Sequence, residues 1–148
     1  MTQKLVILVL ASMLATFVLP VAQPAYAQEE HEHMHANIDV KPGSFPNAIN
    51  IRSNGVVPVA LFGSAEFDVH GVDVSTVRFG PMHHHDHQAG AAPRKYAFED
   101  VNGDGYLDMI FHFETKAIGL QTGDTEACLH GEHDGHHFCG HDSVKVIG

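Results

Sequence analysis

The chain has 148 residues, with 18 acidic against 8 basic side chains and a formal net charge of −10 when histidine is neutral. That balance argues against nucleic acid or an anionic membrane as partner and suits a protein that meets cations. Fourteen histidines and only two cysteines complete the inventory, and the positions of the histidines say more than their number.

Lys4 precedes an apolar run from Leu5 to Leu19, then Pro20 and Ala25-Tyr26-Ala27. A charged start, an apolar stretch and small residues one and three before a cut predict a secretory signal peptide over 1–27, cleaved after Ala27. The alternative is a retained anchor, but a run of about 15 residues is short of the roughly 20 needed to span a bilayer. The expected location is therefore outside the membrane: secreted, extracellular, or at the cell surface or periplasm, with no membrane span in the mature chain. Residues 28–35 read as a His/Glu-rich flexible tail holding His31, His33 and His35, and 36–148 as one domain with a modest core.

Short β-branched or aromatic runs follow: Ala36 to Lys41, Asn47 to Arg52, Val56 to Gly63, Ser75 to Phe79, Lys95 to Glu99, Leu107 to Phe113, Thr125 to Leu129 and Ser143 to Ile147. Turn formers separate them, among them Pro42-Gly43, Ser53-Asn54-Gly55 and Gly80-Pro81. No window holds a helical pattern that competes. About eight strands without covering helices predict an all-β fold, an antiparallel β-sandwich. Met109, Phe111 and Phe113 share one strand face and Ile110 and His112 the other. Pro58 predicts that its strand lies at an edge or carries a bulge. His112 reads as a satisfied structural histidine and His70 as a surface turn residue.

Between two of these strands Asp100-Val101-Asn102-Gly103-Asp104-Gly105-Tyr106-Leu107-Asp108 places an oxygen ligand at every second position. Ca²⁺ takes six to eight oxygens at roughly 2.3–2.6 Å. Asp100, Asn102 and Asp104 reach one point only if the backbone curls, which Gly103 and Gly105 permit; the Tyr106 carbonyl and Asp108 then close the shell. Phe111 stands where an EF-hand needs its glutamate, so the loop resembles the shorter ones of dockerins, thrombospondin type 3 repeats and FG-GAP repeats. The alternative is an Asx-rich turn that binds nothing.

The remaining histidines cluster. His83, His84, His85 and His87 lie between two strands, and His130, His133, His136, His137 and His141 flank Cys128 and Cys139. In an extended backbone His31, His33 and His35 present three imidazoles on one side, as do His83, His85 and His87. Neutral imidazole binds Zn²⁺ or Cu²⁺, and Asp86, Glu132 and Asp134 add oxygen. The competing reading is soluble low-complexity filler. In an oxidising compartment the two cysteines are most simply a disulfide; the alternative is a pair of thiolate ligands for zinc or copper.

The segments Ile38 to Asn50, Val56 to Val69, Val72 to Pro81 and Glu99 to Phe113, continued by Gly123 to Gly131 and Asp142 to Ile147, resemble a domain of secreted and surface-anchored prokaryotic proteins. The resemblance covers nearly all of the expected mature chain. It implies an immunoglobulin-like sandwich with the loop Asp100 to Asp108 inserted between strands, serving as an accessory module with no catalytic role. Nothing matches the His-x-His layout of copper–zinc superoxide dismutase, and no Ser-His-Asp grouping is evident, so the chain reads as a non-enzyme. The leading expectation is a secreted, calcium-stabilised module whose His-rich loops capture or buffer Zn²⁺ or Cu²⁺. The alternative is a structural or adhesion subunit of a surface layer or filament, meeting itself or other surface proteins through metal.

Overall fold

The computed structural model describes residues 17–22, 33–82 and 89–148, and the chain divides into two units, Met1–Glu30 and His31–Gly148. In the first, residues 17–22 have no regular structure, and Phe17, Val18, Leu19 and Val21 are exposed. The rest of the expected signal peptide lies outside the described residues, as do His31 and the histidines at 83–87. Among the described residues no helix is long and apolar enough to cross a membrane.

The second unit is an all-β sandwich. Its strands are β1 (Met34–His35), β2 (Ile38–Val40), β3 (Ala48–Asn50), β4 (Val56–Leu61), β5 (Val72–Pro81), β6 (Lys95–Glu99), β7 (Asp108–Glu114), β8 (Glu126–His133), β9 (His136–Ser143) and β10 (Lys145–Ile147). One sheet runs β1-β9-β8-β5, a second β2-β4-β7-β6, and β10 pairs with β3 alone. The long ladders are antiparallel, but β1 joins β9 and β10 joins β3 in parallel. The chain thus has more strands than expected, and two short parallel pairings among them. Met34 and His35, expected in a flexible tail, form strand β1.

Alternation along each strand builds the core. Val57, Val59 and Leu61 of β4 and Met109, Phe111 and Phe113 of β7 are buried, as are Val77 and Phe79 of β5, Ala127 and Leu129 of β8, and Phe138 of β9. Phe79 and Phe113 meet with ring centroids 5.1 Å apart, tying the two large sheets together. Each such side chain contributes about 1.5–3 kcal/mol on burial, and cutting Phe111 to alanine removes about 3–5 kcal/mol.

Two expectations need correction. Pro58 sits on an inner strand, since β4 lies between β2 and β7. The Pro58 carbonyl accepts from the Lys41 N–H 2.8 Å away, on the β2 side. N–H and C=O of one strand residue point the same way, so the missing donor also faces that side, where β2 has already ended at Val40 and no ladder bond is lost. The second correction is the segment 130–141. A hairpin whose strand ends at Leu129 is the expectation; β8 instead runs on to His133, and a second long strand, β9, covers His136–Ser143.

Candidate metal-binding face and calcium loop

The β8–β9 hairpin turns on Asp134-Gly135, both at positive φ (49° and 82°). Two left-handed residues between His133 and His136 make the tight turn whose twist matches antiparallel strands, and Asp-Gly is a favoured pair for it. The inner row holds Ala127, Leu129, Gly131 and Phe138. A Cβ at Gly131 would press on the Phe138 ring and Val77, so glycine is what admits that ring.

The outer row carries the chemistry. Cys128 stands opposite His141, His130 opposite Cys139 and Glu132 opposite His137. On the far side of β9, His35 is in register with Cys139. The His35 and His141 rings meet edge-on at 5.5 Å, and His33 and His137 lie 6.3 Å apart. Residues more than a hundred positions apart therefore share one sheet face. The His130 Nε2 donates to the Ala89 carbonyl at 3.2 Å, which holds Ala89 beside this face. Next to it Ser75, Thr76, Arg78, His130, Glu132 and His137 line an open hollow of about 350 Å³. Arg78 spends one guanidinium nitrogen on its own strand, bonding the Ser75 and Val77 carbonyls at 3.1 and 2.7 Å.

Cys128 and Cys139 lie diagonally across this hairpin with sulfurs 2.9 Å apart, as two thiols not joined by a bond. Cys139, accepting from the Cys128 thiol, is lowered to about 5; burial opposes the shift, while His141, with Nδ1 3.9 Å from the sulfur, and His130 favour it. The Cys128 thiol is pushed up by donating that bond, by burial and by the thiolate beside it. Such a pair is a reactive dithiol with a ready nucleophile.

Other histidines face elsewhere. His133 is buried: its Nε2 donates to the Asp68 carbonyl at 2.7 Å and its ring stacks on Phe67 at 4.3 Å. His136 lies at the turn end in the opposite row from His137. His112 sits on β7 between Pro58 and Lys95. Its Nδ1 is buried and has no hydrogen-bond partner among the described residues, so it is structural but not satisfied. Burial, and then the Lys95 charge, hold its pKa below the usual histidine value. His70 is an exposed turn residue, with its ring against Phe98 and Nδ1 2.8 Å from Asp68.

The expected calcium loop connects β6 and β7, and Gly103 and Gly105 take the positive φ values of 73° and 89° that its curl requires. Asp100 accepts backbone N–H bonds from Gly103, Asp104 and Gly105 at 2.8–3.2 Å. Asn102 Oδ1 accepts from the Asp104 N–H, and Asp104 Oδ1 from the Tyr106 N–H. These bonds hold the acidic side chains against the loop backbone while leaving lone pairs for a cation. No lysine or arginine ion-pairs with Asp100, Asp104 or Asp108 among the described residues. Asp100, Asn102 and Asp104 therefore offer oxygens to a cation, but the carboxylates of this loop do not converge on one point, and loading must displace the Asn102 amide from Asp104 Oδ2, 3.1 Å away.

Asp108 is different: it is fully buried, with Oδ1 accepting the Gly63 N–H and Oδ2 the Val101 N–H, both at 2.9 Å. It ties the loop to the end of β4, a role sequence reasoning missed. Gly63 itself admits no side chain, because a Cβ there would run into the Leu107 carbonyl.

Among the described residues no three His, Cys, Asp or Glu side chains already converge as a metal cage. Comparison with family models, curated proteins and solved structures returns no match.

Proposed function

We propose that the chain is a secreted, calcium-stabilised module that captures Zn²⁺ or Cu²⁺ outside the membrane on the outer face of the sheet β1-β9-β8-β5. The observation that carries this reading is the gathering of His33, His35, His130, His137 and His141 on that one face from two distant segments. Glu132 adds an oxygen donor, and His83, His84, His85 and His87, which lie outside the described residues, are proposed as further donors. Exchangeable, overlapping binding suits such a surface better than a single closed cage. Cys128 and Cys139, oxidised to each other by an exporting compartment, brace the hairpin. Ca²⁺ at Asp100, Asn102, Asp104, the Tyr106 carbonyl and Asp108 stiffens the other sheet.

Protons compete with metal for imidazole, whose ordinary pKa is about 6.5. Calorimetric titration is expected to show Zn²⁺ or Cu²⁺ uptake at about pH 7.5 and its loss by about pH 5, with Ca²⁺ retained across that interval. Replacing His83, His85 and His87 together with serine lowers the stoichiometry without unfolding the domain. Absence of Zn²⁺ or Cu²⁺ uptake tighter than about 0.1 mM at the higher pH rejects this reading.

The second reading is a surface-layer or adhesion subunit, and one observation favours it. No three such ligands converge within one chain among the described residues, so a metal held by two of them gains its remaining ligands from a neighbour. Zn²⁺-dependent oligomerisation in light scattering distinguishes this bridging role from simple capture.

A further inference from the structure

We propose that Cys128 and Cys139, with His141 beside them, form a thiol-gated site for a soft monovalent cation, Cu(I), on the outer face of the β8–β9 hairpin. The proposal rests on the metal-capturing reading of that face and adds its regulation: the dithiol binds Cu(I) and the disulfide does not.

The geometry supports both states. The sulfurs are 2.9 Å apart, between the roughly 2.05 Å of a disulfide and the separation of about 4.0 Å that two thiolates take on one three-coordinate metal with bonds of about 2.3 Å. Both side chains lie on the outer row of the hairpin, away from the buried row of Ala127, Leu129 and Phe138. The imidazole is equally close to its place. His141 Nδ1 lies 3.9 Å from the Cys139 sulfur, against about 3.8 Å for nitrogen and sulfur bound to one three-coordinate metal at ordinary lengths. Thiolates select Cu(I) over harder ions. Zn²⁺ needs four ligands and Cu(I) is satisfied by two or three, which is what this corner of the sheet offers.

The gate is a balanced thiol–disulfide exchange. One of the two cysteines, as its thiolate, attacks a small or protein disulfide and displaces its first thiol. The other then attacks the mixed disulfide and releases the second. One S–S bond forms between Cys128 and Cys139 and one breaks in the oxidant; two electrons and two protons pass to the two thiols released. The sulfur lone pairs that bound copper are now on a disulfide, a poor ligand, and only imidazoles remain.

The test uses the full chain without oxygen, first reduced with a phosphine, then oxidised with glutathione disulfide, and titrated in each state with Cu(I) held by a competing chromophoric chelator. The expected result is a single Cu(I) per reduced chain, with sulfur-to-copper absorption in the near ultraviolet, lost on oxidation and restored on re-reduction. Reduced Cys128→Ser and Cys139→Ser chains fail to take Cu(I) from the chelator. The wild-type redox comparison needs no variant and stands even if a variant misfolds. Equal Cu(I) uptake in both redox states, or wild-type uptake by the reduced serine variants, overturns the gate. Zn²⁺ titration of the oxidised chain keeps the two claims apart. Its failure counts against capture by the imidazoles, whereas redox-dependent Cu(I) uptake supports the gate whatever Zn²⁺ does.

Discussion

Removing the Asp108 carboxylate separates what that residue does for the fold from what it does for calcium. Its two oxygens satisfy the Gly63 N–H, which is buried, and the Val101 N–H, which is partly buried. Asp108→Ala leaves both donors without an acceptor. A buried unsatisfied donor costs about 1–3 kcal/mol and a half-exposed one less, so the expected loss is about 2–4 kcal/mol with no cation present. Against a total of roughly 5–15 kcal/mol for a domain, that is a large fraction. Asp104→Ala is the control: it is exposed and bonds only within the loop, so with chelator present it should cost less than about 1 kcal/mol. Calcium adds a second axis. At a hundredfold excess over the dissociation constant it stabilises the wild type by about 2.7 kcal/mol, and both variants should lose that increment. The assay is urea unfolding of the three chains in chelator and in calcium. Equal stability of Asp108→Ala and wild type in chelator refutes the pinning role. An unchanged wild-type midpoint on adding calcium refutes the cation site and leaves the loop as an ordinary turn.

Three further outcomes are expected. Gly63→Ala forces a Cβ into the Leu107 carbonyl and should lower stability by about 1–3 kcal/mol; an unshifted urea midpoint contradicts the close approach. Burial, and then the neighbouring Asp142, raise the pKa of Asp39, so its charge destabilises the fold at neutral pH and the penalty fades as pH falls through the raised value. Asp39→Asn should therefore melt higher than wild type near neutrality, with the gap closing in acid; a constant gap refutes the assignment. The lowered pKa of His112 means the unfolded chain binds its proton first, so stability falls as pH drops through the ordinary histidine range of about 6.5 toward the lower folded value. His112→Gln should flatten that part of the melting-temperature profile, and an unaltered slope assigns the pH dependence elsewhere.

The sequence announced some elements plainly and hid others for physical reasons. β6 runs over Lys95–Glu99 as its composition predicts, and β7 is displaced by a single residue. In both, aromatic or branched side chains are frequent, and in β7 they alternate cleanly. β9 was invisible to the same criterion. Its inner row is Phe138 and Gly140, where a Cβ would strike the Ala36 carbonyl, and its outer row is cysteine and histidine. A strand whose inward positions must be small looks like a loop. The Asp134-Gly135 pair was the one local signal that marked the turn. The curl of the loop 100–108 was legible because its glycines and acidic residues lie close together in sequence. The gathering of histidines on one sheet face was not, because His35 reaches Cys139 through a long-range parallel pairing that no local pattern encodes. Asp108 shows the limit from the other side: its spacing reveals a possible ligand, and only its surroundings reveal a structural clamp.

The division of the β8–β9 hairpin into two rows also bears on how such a protein can change over generations. Substitutions among Ala127, Leu129, Gly131, Phe138 and Gly140 are felt by the whole core. Those at Cys128, His130, Glu132, His137, Cys139 and His141 alter the donor atoms on offer and leave that packing in place. Selection can therefore change the side chains on this face one residue at a time without first passing through an unstable ancestor. The face behaves as an interchangeable keyboard on a fixed frame, and its histidines are the current setting.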